Sequence, residues 1–286
     1  MTSPLRIAPF FDEATHTVSY LVWDANTGEA AAIDPVLDYD HASGQAHTGS
    51  ADAVLAAAQA QGLRLRWILE THAHADHLSA APYLRERTGA PIAVGEHIRE
   101  VQRIFRPVFN LPAPAGEPPF DRLLADGDSL PLGGLRIEVL HTPGHTPACV
   151  SYRIEDAVFV GDTLFMPDYG TLFRSIQRLL PLPPATRLFM CHDYKAPGRD
   201  RHAWETTVAD QRAGNVHVHA GVDEASFVAM RSRRDATLSA PALLLPAIQV
   251  NMHAGHWPEA EANGVHYLKI PLRMKHRPQA ADAKQA

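Results

Sequence analysis

Very little in this sequence could cross-link the chain. Only two of its 286 residues are cysteine, Cys149 and Cys191, so a disulfide framework is excluded. Long apolar runs are missing too. With no stretch of about 18 apolar residues, a helical membrane span is not expected. The start, Met1-Thr2-Ser3-Pro4-Leu5-Arg6, has neither the basic region nor the apolar core of a secretory leader, and a cytoplasmic protein is expected. Basic residues form no block and the formal net charge is −6, which disfavours nucleic acid as a partner. No internal repeat is found. The 45% hydrophobic and 20% charged residues suit a soluble globular chain, long enough for one large domain of two layers or more.

Histidine is abundant, and its placement follows the apolar runs. Residues 6–34 read as the opening of a sheet. They contain the strand-like Val18 to Trp23, a turn at Asn26-Thr27-Gly28, and the run Ala30 to Asp34 stopped by Pro35. Asp34 is either a buried carboxylate supporting a site or a turn residue. Residues 36–50 are polar and read as a loop, with His41 and His47 solvated. Ser50 caps an Ala-rich helix over 51–61, closed by Gly62. A strand over 65–69, a helix over 79–87 ended by Gly89, and a strand over 91–94 follow, an alternation that places helices on sheet faces. The proline-rich 105–120 reads as a surface excursion. Further strands are expected over 135–140, 149–154, 157–160 and 187–190, and helices over 171–180, 204–211 and 224–233. The chain after 241 reads as irregular, with a polar disordered tail over 279–286.

Four expected strand ends carry the chemistry. Trp67-Ile68-Leu69 leads into Thr71-His72-Ala73-His74-Ala75-Asp76-His77, three imidazoles and a carboxylate in six residues. Later runs end at His145, Asp162 and His192. Imidazole suits zinc, iron and copper, and carboxylate adds charge and hard character. Strand C-termini meeting at one sheet edge are where α/β proteins place their sites. No one piece is decisive, since a lone Gly-Asp or His at a strand end is common, but the four together point to a metal centre. Cys149 and Cys191 lie near these residues and read as buried structural thiols. His253 and His256 read as pocket or surface histidines.

The order His72-x-His74-x-Asp76-His77, His145, Asp162, His192 resembles the ligand motifs of the metallo-β-lactamase fold superfamily. Within it, the stretches Glu70 to His77, Pro143-Gly-His-Thr-Pro147 with Cys149-Val150, Gly161-Asp-Thr-Leu164 and His192-Asp-Tyr194 are similar to the persulfide dioxygenase branch, relatives of glyoxalase II. They are more similar still to bacterial β-lactamase-like hydrolases. The resemblance implies an α/β, four-layer αββα sandwich with metal at one edge of two sheets. A metallo-β-lactamase-like domain is expected over 1–240, with a C-terminal extension, 241–286, packing on it.

Two chemistries follow from the resemblance, and both keep Asp76 and Asp162 as the candidate catalytic carboxylates. In the first, one Fe(II) per chain sits on His72, His145 and Asp162, a 2-His-1-carboxylate face with open positions. A thiol persulfide such as glutathione persulfide is then oxidised by O2 to sulfite and thiol. His74, Asp76, His77 and His192 orient ligands and water around it. In the second, two Zn(II) ions use all seven groups, with Asp162 shared, and activate water for attack on a thioester or lactone. Thr146 and Tyr194 are the candidate substrate contacts. Non-enzymatic metal holding is a third reading, disfavoured by the complete ligand set. A homodimer is expected by analogy. One departure stands out. Relatives carry an Arg-x-Asp-Phe-like segment before the following helix, whose arginine is thought to meet the anionic substrate. Here Gly170-Thr171 runs straight into Leu172-Phe173-Arg174.

Overall fold

Runs of β-branched, aromatic and small apolar residues, buried on both faces in β2 and β3, turn the first part of the chain into a sheet. The computed structural model describes residues 3–111, 119–163, 169–195 and 198–272. Strands β1 (Leu5–Asp12), β2 (Thr17–Asp24) and β3 (Glu29–Ile33) form an antiparallel meander. Residues 36–50 are not a plain loop. β4 (Val36–Asp40) and β5 (Gln45–His47) form a hairpin, because Val36 and Leu37 have an apolar face to bury while the polar side chains stay outside. His41 and His47 are exposed there. Helix α1 (Gly49–Ala60) follows. Its N-cap is Thr48 and not Ser50; Ser50 instead donates to the Asp38 carboxylate of β4 at 2.6 Å, tying the hairpin to the helix.

Next come β6 (Arg64–Leu69), β7 (Leu78–Ser79), α2 (Ala81–Thr88), β8 (Ile92–Gly95) and α3 (Ile98–Val108). Gly89 ends α2 at φ 72°, a left-handed turn that glycine adopts without steric cost. The surface excursion expected over 105–120 is corrected at both ends, since 105–108 form the last turn of α3, with Pro107 in it, and Phe109 and Phe120 are buried in the core; residues 112–118 lie outside the described residues. Then follow β9 (Arg122–Leu124), β10 (Ser129–Leu132), β11 (Leu135–His141), β12 (Val150–Ile154), β13 (Ala157–Phe159), α4 (Tyr169–Leu179) and β14 (Arg187–Phe189). The stretch 204–211 splits into β15 (Glu205–Thr207) and α5 (Val208–Gly214). Thr207 and Asp210 form a capping box at that point, so the helix starts late. After α6 (Glu224–Asp235), the segment expected to be irregular contains α7 (Leu244–Asn251), whose Ala247, Ile248 and Val250 join the core. The expected tail, 279–286, lies outside the described residues.

One sheet has the order β1-β2-β3-β6-β8-β9 and the other β10-β11-β12-β13-β14-β15. Three apolar layers define the stack. Ile68, Ile92 and Leu84 pack the first sheet against α1, α2, α3 and α7. Tyr20, Leu69, Ile137 and Tyr152 fill the space between the sheets. Val158, Leu188, Leu179 and Val208 seat α4 and α5 on the second sheet. This is the expected αββα sandwich. β6 runs parallel to β3 and β8, and β13 runs parallel to β14. Since β11 and β12 form a hairpin with β12 antiparallel to β13, the ends of β11, β13 and β14 share one edge. The two sheets are joined along that edge, where Val18 N–H donates to the Cys191 carbonyl and Val150 N–H to the Thr71 carbonyl.

Candidate metal centre

The loop after β6 is irregular, so its backbone groups must find partners elsewhere. Tyr152 Oη donates to the Glu70 carbonyl at 2.8 Å, and Val150 N–H to that of Thr71 at 2.9 Å. Asp34, at φ 49° just before Pro35, is buried beneath the loop and accepts both the N–H and the hydroxyl of Thr71, at 2.7 and 2.9 Å. Having donated to Asp34, the Thr71 hydroxyl accepts from His72 Nδ1 at 3.0 Å, which leaves His72 Nε2 as the lone-pair nitrogen facing the site. Asp34 is thus the supporting carboxylate of the two readings open for it. Burial raises its pKa, and burial followed by the nearby Asp34 charge lifts that of Glu70, whose carboxylate accepts from Ser79 Oγ.

The four strand ends converge. His72 Nε2 and His145 Nε2 lie 3.9 and 3.6 Å from Asp162 Oδ2, and His192 Nε2 lies 3.3 Å from Asp162 Oδ1. His192 Nε2 is also 3.5 Å from Asp76 Oδ2, which sits 3.2 Å from His77 Nδ1. His192 Nδ1 faces the His16 carbonyl at 3.3 Å, so its other nitrogen turns inward. Thr17, which the sequence reading passed over, lies between these groups. Its hydroxyl is 3.0 Å from Asp76 Oδ2 and 3.4 Å from Nδ1 of both His77 and His192. A start-of-strand threonine carries no sequence signal for such a role.

His74 stands apart. Its Nε2 lies 2.9 Å from Asp34 Oδ1 and 3.6 Å from Glu70 Oε2, beneath the loop. Cys191 is buried beside it, its thiol pushed up by burial, and Cys149, likewise buried, is raised to about 12. Both are thiols at neutral pH, and Cys149 Sγ accepts the Thr146 N–H at 3.2 Å. His253, half-buried, faces the Gln249 carbonyl, and His256 is exposed; neither joins the cluster.

Electrostatics set the protonation states. Burial first, and then neighbouring imidazoles, hold His72 and His74 well below the usual histidine range, so both are neutral. Burial alone would raise Asp162, but His192, His145 and His72 outweigh it and keep the carboxylate ionised. Asp76 is lowered in the same way by His77 against its burial. For His192, Asp162 and Asp76 outweigh burial and raise the pKa.

The donor set fits a divalent metal. Among the described residues, His72 Nε2, His77 Nε2, His74 Nδ1 and Asp162 Oδ1 are buried without a hydrogen-bond partner. His74 Nε2, although close to Asp34, also lacks hydrogen-bond alignment. Buried polar atoms are nearly always paired, so this many in one place mark these side chains as candidate ligands. Ligand atoms about 2.1 Å from one ion lie roughly 3–3.5 Å apart, close to the separations seen here. His72, His145 and Asp162 form one converging set and His74, Asp76 and His77 another. Asp162 also groups with Cys191 and His192, and Asp34 with His74 and Cys191.

Two clefts flank the centre. One, of 420 Å³, is bordered by His145, Thr146, His97 and Glu100. The other, of 630 Å³, is bordered by His192, Tyr194, Lys195, Arg199 and Arg234. Tyr194 is 57% exposed, and its ring stacks on His192 at 5.8 Å. The first turns of α4 press on the His145 loop, since a Cβ at Gly144 would sit 2.5 Å from Leu172 Cα. Residues 164–168 lie outside the described residues, Leu164 of the Gly-Asp-Thr-Leu motif among them.

Comparison with known proteins agrees with this geometry. A probable metallo-hydrolase of Burkholderia pseudomallei is 54% identical over 292 residues, covering 94% of this chain and 99% of the relative. That span exceeds the 286 residues here, so the relative has residues with no counterpart in this chain. A β-lactamase hydrolase-like protein of Xylella fastidiosa is 50% identical over 93% of this chain, which spans only 64% of that relative. The mitochondrial persulfide dioxygenase ETHE1 of Homo sapiens is 27% identical over 88% of this chain and 90% of its own length. Among solved structures, ETHE1 from Myxococcus xanthus superposes with a TM-score of 0.70 at 29% identity, covering 88% of this chain and all of the other. Among the described residues no helix is long and apolar enough to cross a membrane. The model of the metallo-β-lactamase superfamily matches residues 13–213, and with the converging His and Asp side chains this establishes that the chain belongs to that superfamily.

Proposed function

We propose that the protein is a persulfide dioxygenase, holding one Fe(II) on His72, His145 and Asp162 and oxidising a thiol persulfide to sulfite and free thiol. The observation that carries this reading is the unequal use of the ligand loop. His72, His145 and Asp162 face one another, whereas His74 is drawn to Asp34 and Asp76 is shared with Thr17 and His77. Two imidazoles and a carboxylate on one face leave coordination positions open, the arrangement of non-haem iron oxygenases. Such an iron would supply the redox chemistry for oxidation of the persulfide sulfur by O2. The balanced reaction takes one persulfide, one O2 and one water to one thiol, one sulfite and two protons.

The chain's own groups do the rest. Thr71, fixed by Asp34, keeps the His72 proton on Nδ1 and the Nε2 lone pair toward the site. Asp76 and His192 sit where a proton can be held beside Asp162. The cleft beside His192 carries Lys195 together with Arg199, paired to Asp193, and Arg234, which lies beside Asp235; Lys195 is the candidate contact for an anionic thiol carrier. Tyr194 and Thr146 border the two clefts as candidate contacts. The similarity to persulfide dioxygenases supports the same reading.

A second reading, a dinuclear zinc hydrolase acting on a thioester or lactone, is favoured by the second set, His74, Asp76 and His77, and by the metallo-hydrolase relative. Metal analysis joined to oxygen uptake with glutathione persulfide separates the two. One iron per chain with rapid uptake is expected. Two zinc ions, no uptake and turnover of S-lactoylglutathione would overturn the dioxygenase.

A further inference from the structure

We infer that Asn251, on the C-terminal helix α7, is a positioning residue of the metal centre. It lies outside residues 13–213, the span matched by the superfamily model, yet its side chain clamps the ligand loop at three points. Nδ2 donates to the His74 carbonyl at 2.9 Å and to the His77 carbonyl at 2.7 Å. Oδ1 accepts the Ser79 N–H at 2.8 Å. Two carbonyls require the nitrogen end and one N–H the oxygen end, so the orientation of the amide follows from its partners.

Asn251 is 4% exposed, and both its N–H groups are committed to the loop. The two carbonyls it holds flank Ala75 and Asp76. Its clamp therefore fixes the half of the loop that presents His74, Asp76 and His77. The other half is held separately, by Tyr152 and Val150 of β12 and by Asp34. Helix α7 is itself anchored away from the loop. Gln102 of α3 donates to the Met252 carbonyl at 2.8 Å, and Gln249 pairs with both the N–H and the carbonyl of Lys269. Buried carbonyls that lose their donors in a dry site must move toward water or stay unpaired. Either course displaces His74 to His77. The inference rests on His74, Asp76 and His77 as a set able to take zinc, and not on which reaction the centre performs.

Asn251→Asp tests it. This variant keeps the shape and the acceptor for Ser79 N–H, but removes both donors and sets oxygen against oxygen. Zinc affinity, read by chelator competition, should fall about 10- to 100-fold, the usual loss when a group supporting a ligand is removed. Amide hydrogen exchange should quicken over residues 72–79 and not over β12. His256→Ala, at an exposed position just beyond the same helix, should change neither. Where Asn251→Asp lowers stability overall, the rise in melting temperature given by saturating zinc is the measure, and it should shrink relative to wild type. Asn251→Gln, with both donors on a longer arm, should recover part of the affinity. Zinc affinity and zinc-induced stabilisation within threefold of wild type would overturn the assignment. None of these readouts involves persulfide or oxygen. A wild type that takes up no oxygen removes the proposed reaction and leaves this result standing.

Discussion

His72 and His77 sit on the same loop, yet the protein holds them by different means. His72 is fixed from the sheet side, through Asp34 and Thr71 and through backbone bonds from β12. His77 is fixed from the periphery, by Thr17 at the start of β2 and by Asn251 from the C-terminal helix. The first corner rests on elements buried between two sheets. The second rests on single side chains brought in from far along the chain. A dense ligand motif therefore need not act as one unit, because each imidazole is only as well placed as the group behind it.

The strongest way to break the comparison is to remove the carboxylate that faces both corners. Asp162→Ala should lose metal at either corner and lower activity by more than the roughly 10- to 100-fold that follows loss of a group merely supporting a ligand. Elemental analysis and turnover check it, and retained metal would show that the corners stand without Asp162.

Gly161→Ala probes the sheet-side corner alone. Gly161 has φ 51°, and a Cβ there would lie 2.6 Å from Thr71 Oγ1, the hydroxyl that orients His72. The substitution combines backbone strain with overpacking and should destabilise the metal-free protein by about 2–3 kcal/mol in urea unfolding. It should weaken binding at the His72 corner more than at the His77 corner.

Asp193 tests the peripheral corner through pH. It accepts from Arg199, from the Ala203 N–H at 2.9 Å and from His202 at 3.1 Å. Burial opposes them, but these donors hold its pKa at about 2. A carboxylate depressed on folding stabilises fully above its unfolded value, near 3.9, and that stability is lost as pH falls toward 2. Discounted for partial solvent screening, its contribution is about 1–2 kcal/mol. Asp193→Asn should therefore be less stable than wild type at pH 6, the gap closing as the pH drops from 4 to 2.

The smallest effect sharpens the comparison most. With His74 turned toward Asp34, His74→Ala should leave the iron content nearly unchanged, within about twofold. Full loss of iron would put His74 in the coordination shell and collapse the distinction between the corners.

Much of this was written into the sequence. The histidine and aspartate positions follow apolar strands, and ending strands on one edge of an α/β sandwich is enough to bring them together. Alternating strands and partly exposed helices announce themselves through periodicity, which is why β6, β11 and α6 were legible. The hairpin β4–β5 and helix α7 were not, since their burial depends on surfaces supplied by distant segments. Ser50 has the residue type of a cap but spends its hydroxyl on Asp38.

By itself, then, the sequence determined the kind of centre this is: which side chains can bind metal, and at which edge of which fold. Only the tertiary structure decided how those side chains are held. Thr17 and Asn251 carry no local pattern, and Asp34 left two readings open, because a hydrogen bond between residues far apart in the chain depends on geometry that local composition does not encode. The protonation of His72 and the clamp on His77 arise from such bonds, and the 2.9 Å approach of His74 to Asp34 likewise joins residues far apart in the chain.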